Sequence, residues 1–291
     1  VARAAYDIDA AELHRRVQEA ASLGATEVCL QGGIHPDYTG QTYLDIVRTV
    51  REAAPDIHIH AFSPLEIDQG AATLQLPVAR FLEMLKDAGL RSMPGTAAEV
   101  LDEGVRSILC PDKVTSQRWL DIMEQAHGVG LRSTATIMFG HVDDARSWVR
   151  HWRQVLALQQ RTQGFTEVVP LPFVSAGAPI YRRGGSRPGP TWREALLMHA
   201  VLRLTLGHAI PNVQASWVKL GQQGALQMLS AGANDLGGAL INESITRAAG
   251  ATHGQVWTPP DMQDAIRSCN RLPRQRTTLY GQLKEGAVAS W

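Results

Sequence analysis

Residues Cys29–Asp37 read Cys-Leu-Gln-Gly-Gly-Ile-His-Pro-Asp and indicate the class of fold. An apolar strand predicted over 26–31 runs directly into Gly32 and Gly33, and the stiff corner 34–36 follows. Glycines at the carboxyl end of a strand let a ligand approach the backbone closely, because no Cβ stands in the way. In parallel α/β folds, ligands bind at that end of the strands. Taken alone, the glycine pair is also typical of a simple tight turn.

Strand and helix patterns alternate along the whole chain. The predicted strands include 26–31, 57–62, 93–96, 134–139, 165–170 and 213–218. About seven strands that alternate with helices predict a parallel sheet, and 291 residues suit a (β/α) TIM-type barrel. Because a complete barrel has eight strands, we expect the first one to be missing. We predict a single barrel domain over 1–291, in which 240–291 forms a C-terminal extension packed on the barrel.

The strand at 57–62 indicates which residues face the barrel interior. Ile57 and Ile59 alternate with His58 and His60, so the isoleucines suit a helix layer and the histidines the interior. Buried histidines have to be hydrogen-bonded or used. For His58 we favour a hydrogen-bonded core histidine. A His-x-His pair also begins the metal site of some barrel hydrolases, with His141 as a candidate further ligand.

Composition narrows the class of protein. Lys plus Arg and Asp plus Glu are both 28, which argues against a nucleic-acid partner held by bulk charge. The sequence has no run of about eighteen apolar residues, so it predicts no membrane-spanning helix. The three cysteines, Cys29, Cys110 and Cys269, are too widely spaced for a disulfide framework or a local metal knuckle. A reducing cytoplasm is the compartment that this usage predicts.

Several long segments resemble, in order, those of radical S-adenosylmethionine (SAM) enzymes. The matching segments lie at 31–36, 58–64, 94–99, 135–141, 164–173, 216–220, 234–238, 242–244 and 273–278. The resemblance is strongest to the 5-amino-6-(D-ribitylamino)uracil–L-tyrosine 4-hydroxyphenyl transferases. These form one half of the deazaflavin (FO) synthase and are sometimes fused to the other half.

The resemblance implies a chemistry and its cofactors. In this family a 4Fe-4S cluster cleaves SAM, and the resulting deoxyadenosyl radical abstracts hydrogen from L-tyrosine. The hydroxybenzyl group then joins ribitylaminouracil, while the protein orients the substrates and excludes water. The implied partners are these two small molecules and the second FO synthase subunit or fused domain.

Five residues can be matched to binding roles through the resemblance. Gly32 and Gly33 correspond to the glycine pair that receives the amino-acid end of SAM, and Glu99 to an acidic SAM contact. Ser63, with His60 beside it, lies where substrate-facing residues are expected. Glu99 has a second interpretation, since a helix predicted over 97–101 would place it near a helix N-terminus. The catalytic residues are not assigned.

One family feature is absent from the chain. The Cys-x-x-x-Cys-x-x-Cys motif that holds the cluster does not occur, and Cys29, Cys110 and Cys269 are not expected to replace it. Together with the missing first strand and the absent initial Met, this suggests an N-terminal truncation, with the cluster cysteines upstream of Val1. The open edge at 26–31 would then expose unpaired backbone groups, which predicts low stability for the isolated chain.

Three other functions stay open at this point. The menaquinone-pathway futalosine cyclase shares these motifs, although the Gln-Gly-Gly-Ile-His-Pro segment and the Arg-Gln-Arg-Thr-Thr segment favour the deazaflavin enzyme. A metal-dependent barrel hydrolase would use His58 and His60. A non-catalytic remnant would bind SAM or substrate without turnover.

Overall fold

A computed structural model describes residues 7–240 and 256–282, so the matched segment 242–244 and much of the extension 240–291 lie outside the described residues. Five parallel strands form one sheet in chain order. They are β1 (Glu27–Leu30), β2 (His58–Ala61), β3 (Ser92–Met93), β4 (Arg132–Phe139) and β5 (Phe165–Pro172). Each of the first five predicted strands is present, and each is parallel to its neighbour.

The helices lie between and after the strands. They are α1 (Ala10–Ser22), α2 (Gly40–Ala53), α3 (Pro64–Thr73), α4 (Val78–Ala88), α5 (Glu103–Leu109), α6 (Ser116–Gly128), α7 (Ala145–Thr162), α8 (Pro179–Arg182), α9 (Trp192–Leu206), α10 (Trp217–Ser230) and α11 (Pro259–Ser268). In the part of the chain that the structure describes, none is long and apolar enough to cross a membrane.

The sheet order continues past β5 through two single bridges. Val168 of β5 pairs with Val213, and Gln214 pairs with Asp235, both in parallel. The predicted strand 213–218 is therefore too long, because Ser216 already caps α10 and the backbone turns helical at Trp217. These bridges add two extended segments to the five strands, and the total agrees with the predicted count of about seven. β1 is one edge of this order, and the segment around Asp235 is the other.

The two faces of the strands separate core from interior. Ile59, Ile137 and Val168 are fully buried in the layer between sheet and helices, where Trp119 stacks on Phe165 with ring centroids 6.3 Å apart. The opposite face carries polar side chains. The register pairs Glu27 with His58, Cys29 with His60 and Thr134 with Glu167, so these groups share the inner face. The predicted inward orientation of His58 and His60 is confirmed.

Candidate active site

The turn after β1 offers an open backbone surface. A Cβ at Gly33 would meet no described residue within 4 Å, and one at Gly32 would lie 3.8 Å from its nearest neighbour, Glu66 Oε1. Neither glycine has a positive φ. Since neither a left-handed backbone nor close packing requires glycine at these positions, the simple tight-turn interpretation loses support. Space left open beside a strand's carboxyl end suits a bound ligand.

Glu66 fixes this turn from the neighbouring strand–helix unit. Its carboxylate accepts hydrogen bonds from Gly32 N (3.1 Å), Ser63 N (2.8 Å) and Ser63 Oγ (2.7 Å). The side chain is 3% exposed, and burial raises its pKa, while the bonds from Ser63 and Gly32 act in the opposite direction. Glu66 was not predicted as a site residue, although the sequence from Ser63 to Glu66 has the pattern of a capping box. The glycine turn is therefore held by a buried carboxylate.

Ser63 serves the fold as the N-cap of α3. It is buried, and its hydroxyl donates to Glu66. The residue before it, Phe62, has φ 63°, a left-handed conformation that is rare outside glycine. Backbone strain of this kind costs about 1–3 kcal/mol and clusters at functional sites. The carboxyl end of β2 therefore has backbone strain of the kind found at functional sites. The role of Ser63 in substrate binding stays a prediction.

His58 and His60 are joined by one serine inside the barrel. Ser92 Oγ lies 2.7 Å from His58 Nε2 and 2.7 Å from His60 Nδ1. A hydroxyl has one proton, so it donates to one ring and accepts from the other. Burial lowers the pKa of each histidine to about 4, which leaves both rings neutral at pH 7. This geometry supports the hydrogen-bonded interpretation of His58.

Replacing Ser92 with alanine should destabilise the protein by about 1–3 kcal/mol, because two ring nitrogens in the barrel interior lose their partner. Chemical denaturation at pH 7 measures this. Ser107→Ala is the matched control, since the hydroxyl of this exposed residue on α5 donates to the carbonyl oxygen of Gly104 and has no other hydrogen bond among the described residues. Equal stabilities for the two variants would contradict the bridging role of Ser92.

Glu99 lies in a strained loop after β3. The predicted helix over 97–101 is wrong: Ala97 and Glu99 have φ values of 61° and 46°, and α5 begins only at Glu103. The Glu99 carbonyl accepts from Met138 N of β4 at 2.8 Å, and such a contact holds the loop in place of helical bonds. The interpretation of Glu99 as a residue near a helix N-terminus is therefore wrong. Its carboxylate pairs with Lys113 Nζ at 2.5 Å, and its role in SAM binding stays a prediction.

Arg106 holds the same loop through hydrogen bonds to its backbone. Its side chain is buried and donates to the carbonyl oxygens of Ala97, Ala98 and Val114. A buried guanidinium that satisfies several carbonyls fixes a backbone that has no regular hydrogen bonding of its own. Arg106 was not predicted from the sequence, since its acceptors are peptide groups that leave no residue-type signal.

The cysteines do not form a cluster site in this structure. Cys29 lies on the inner face of β1, Cys110 follows α5 and Cys269 follows α11. Among residues 7–240 and 256–282, no group of three or more His, Cys, Asp or Glu side chains could hold a metal ion. The described residues therefore do not fit a 4Fe-4S cluster. They equally give the hydrolase alternative no metal site at His58 and His60.

Comparison with known proteins defines first the class of protein. Residues 2–152 match the Radical SAM superfamily, and residues 162–287 match the CofH/MqnC C-terminal region. The crystal structure of methylornithine synthase (PylB) superposes with a TM-score of 0.65 at 18% identity, covering 93% of this chain and 75% of that one. This likeness confirms the predicted (β/α) TIM-type barrel.

Similar sequences then give the family. The 5-amino-6-(D-ribitylamino)uracil–L-tyrosine 4-hydroxyphenyl transferase of Methanopyrus kandleri is 49% identical over 96% of this chain and 76% of its own length. The FO synthase of Streptomyces coelicolor is 47% identical over 97% of the chain, which spans only 32% of that protein. The chain belongs to the family of radical SAM enzymes that these proteins form, as the sequence motifs predicted.

Proposed function

We propose that this chain forms the SAM- and substrate-binding barrel of a transferase that joins the 4-hydroxybenzyl group of L-tyrosine to 5-amino-6-(D-ribitylamino)uracil in FO biosynthesis. The observation that carries the proposal is the identity of 45–49% with the transferases of two archaea, over at least 95% of the chain. The open glycine turn and the strained ends of β2 and β3 support it, because they lie at the ligand-binding end of a parallel barrel.

SAM is the cofactor that we assign to the glycine turn. The backbone of Gly32 and Gly33 would receive its amino-acid end, and Glu99 would add a carboxylate acceptor for hydroxyl or ammonium groups. Since Gly32 N donates to Glu66, the polar groups of Gly32 and Gly33 without a hydrogen bond to another described residue are their carbonyl oxygens and Gly33 N. The family's 4Fe-4S cluster supplies the electron that cleaves SAM, and its ligands would have to be residues other than those described.

The substrates would occupy the barrel interior beside β2. His60 presents a neutral imidazole on the inner face, fixed by Ser92, and such a ring can donate or accept one hydrogen bond. The buried walls would exclude water from a reactive radical. The second half of the FO synthase, fused or separate, would be the protein partner in the cytoplasm. The threefold greater length of the FO synthase relatives supports such a fusion.

Changing Gly33 to valine should weaken SAM binding at least about tenfold, a loss of about 1.4 kcal/mol, with little change in stability. A side chain there meets open space in the free protein but would occupy the space assigned to the ligand. Calorimetric titration with SAM and thermal denaturation measure the two effects. Gly128→Ala on α6 is the control, since its Cβ also meets nothing within 4 Å. Unchanged SAM affinity in Gly33→Val would contradict the assignment.

A binding comparison tests the substrate assignment against the futalosine cyclase alternative. The protein with SAM bound is titrated with L-tyrosine plus ribitylaminouracil and, separately, with a futalosine-type substrate. We expect saturable binding of the first pair alone. Binding of only the futalosine-type substrate would replace the proposed substrates and leave the SAM assignment standing.

A further inference from the structure

Residues 276–280, the closing segment, cross the gap between the two edges of the barrel sheet. Thr278 Oγ1 donates to Glu27 on β1, and Arg276 donates to Asp235 on the opposite edge. The segment is held by a bond within it, from Tyr280 N to Thr277 O (3.0 Å), and by one to the next residue, from Thr277 N to Gly281 O (3.0 Å). The closing segment therefore connects β1 to the end of the sheet order.

Two buried carboxylates meet the closing segment inside the barrel. Tyr280 Oη lies 2.7 Å from Glu167 Oε2 and 2.9 Å from Asp235 Oδ2. Glu167 and Asp235 are only 6% and 9% exposed. Gln214 Nε2 donates to the same Glu167 oxygen at 3.1 Å. One phenolic oxygen therefore contacts two carboxyl groups.

The number of protons in this arrangement can be counted. A phenol carries one hydrogen, so Tyr280 can donate to only one of the two carboxyl oxygens. The other contact is a hydrogen bond only if that carboxyl group is protonated and donates to the phenolic oxygen. Without the extra proton, a lone pair of Tyr280 would face a charged oxygen at less than 3 Å. The geometry therefore favours one proton more than two ionised carboxylates provide.

The net charge of the cluster also indicates one bound proton. In the part of the chain that the structure describes, Arg276 is the cation of the cluster. It pairs with Asp235, its Nη2 lies 3.5 Å from Glu167, and its guanidinium lies 4.1 Å from the Tyr280 ring centroid. One cation and two carboxylates leave a net negative charge, and burying an unpaired charge is costly. One bound proton makes the cluster neutral.

Among residues 7–240 and 256–282, the other groups that face the cluster do not supply the missing positive charge. His60 lies near Arg276, and burial first and then that cation lower its pKa to about 4, so it stays neutral. Glu27 reaches the closing segment through Thr278. Gln214 is neutral. Burial and the charge of Asp235 raise the pKa of Glu167 to about 7, with Arg276, Tyr280 and Gln214 opposing.

We propose that Glu167, Tyr280 and Asp235 form a proton-binding site that retains one shared proton, and that this proton holds the closing segment across the barrel gap. The ligand of the site is the proton itself. Strand β5 and the segment around Asp235 hold the site inside the barrel. The site is independent of the SAM and substrate assignments.

The pH dependence follows from the two states of the segment. When the segment opens, the carboxyl group of Glu167 reaches water and its pKa returns to the ordinary value of 4.5, whereas the closed state keeps the proton up to about pH 7. Closure is therefore strongest below about pH 4.5, weakens by up to tenfold per pH unit as pH rises to about 7, and is constant above that.

Hydrogen exchange of a peptide covering the closing segment tests the proposal in the full chain. Protection factors, corrected for the intrinsic rate, should fall between about pH 5 and pH 7 and then level off. Glu167→Gln mimics the protonated acid, so its protection should not change with pH. Glu27→Gln is the control: it alters the Thr278 contact but leaves the two-carboxylate contact to Tyr280 in place, and its protection should keep the pH dependence.

Infrared spectroscopy gives a second readout that does not depend on the variant's stability. The parent protein should show the carbonyl stretch of a protonated carboxyl group at pH 6, with loss of intensity by about pH 8, and Glu167→Gln should lack this band. Protection that does not vary with pH in the parent, or the same variation in Glu167→Gln, would overturn the proposal. So would the absence of the protonated-carboxyl band.

Discussion

Glu66→Gln is expected to weaken SAM binding by about tenfold or more while the protein remains folded. The amide nitrogen of glutamine cannot accept a hydrogen bond, so at least one donor among Gly32 N, Ser63 N and Ser63 Oγ loses its partner. A buried group left unsatisfied costs about 1–3 kcal/mol, and the glycine turn can relieve that cost only by moving. Titration with SAM and thermal denaturation, run side by side, separate the two effects.

A capping box elsewhere in the chain provides the matched control for Glu66. Glu194 accepts from Thr191 at the start of α9, as Glu66 accepts from Ser63, and its other hydrogen bond among the described residues comes from Arg187 rather than from a glycine turn. Glu194→Gln should therefore lower stability without changing SAM affinity. If both variants lost SAM affinity equally, the effect of Glu66 would be one of general stability, and its positioning role would be wrong.

Gly95→Ala is expected to cost about 3 kcal/mol or more of folding free energy and to lower the yield of folded protein. A Cβ at this position would lie 2.4 Å from Thr134 O, 2.8 Å from Thr136 N and 2.9 Å from Ala135 Cα. These are backbone atoms of β4, which is paired with β5 along its length. They cannot move without breaking the sheet.

Denaturant unfolding of Gly95→Ala measures this cost. Gly128→Ala serves again as the control, and we expect unchanged or slightly higher stability, because alanine favours a helix over glycine and the space is open. A Gly95→Ala midpoint equal to that of the parent would show that β4 can yield at this point, and would contradict the close packing of the loop after β3.

The alternation of strands and helices was predictable because each strand carries its own pattern. On β2, Ile59 packs outward and the two histidines inward, and the register with β1 confirms that alternation. The helix predicted over 97–101 was wrong for a physical reason. Arg106, Met138 and the β4 threonines hold that loop through contacts 8 to 41 residues away in sequence. Such contacts override local helix propensity.

The candidate site was predictable only where one short segment carries it. Gly32 and Gly33 could be found because they follow a strand directly. Glu66 could not be assigned to the turn, since its contact with Gly32 spans 34 residues. The two carboxylates of the proton-binding site lie 113 and 45 residues from Tyr280 and come together only when the barrel forms.

The most direct test of the account is turnover by the natural protein, reconstituted anaerobically with iron and sulfide. SAM, a reductant, L-tyrosine and ribitylaminouracil are supplied together, and products are followed by mass spectrometry. We predict deoxyadenosine and a tyrosine-derived hydroxybenzyl adduct of ribitylaminouracil, both requiring the two substrates and both reduced in Gly33→Val. Deoxyadenosine without that adduct, or adduct formation that does not require SAM, would contradict the account.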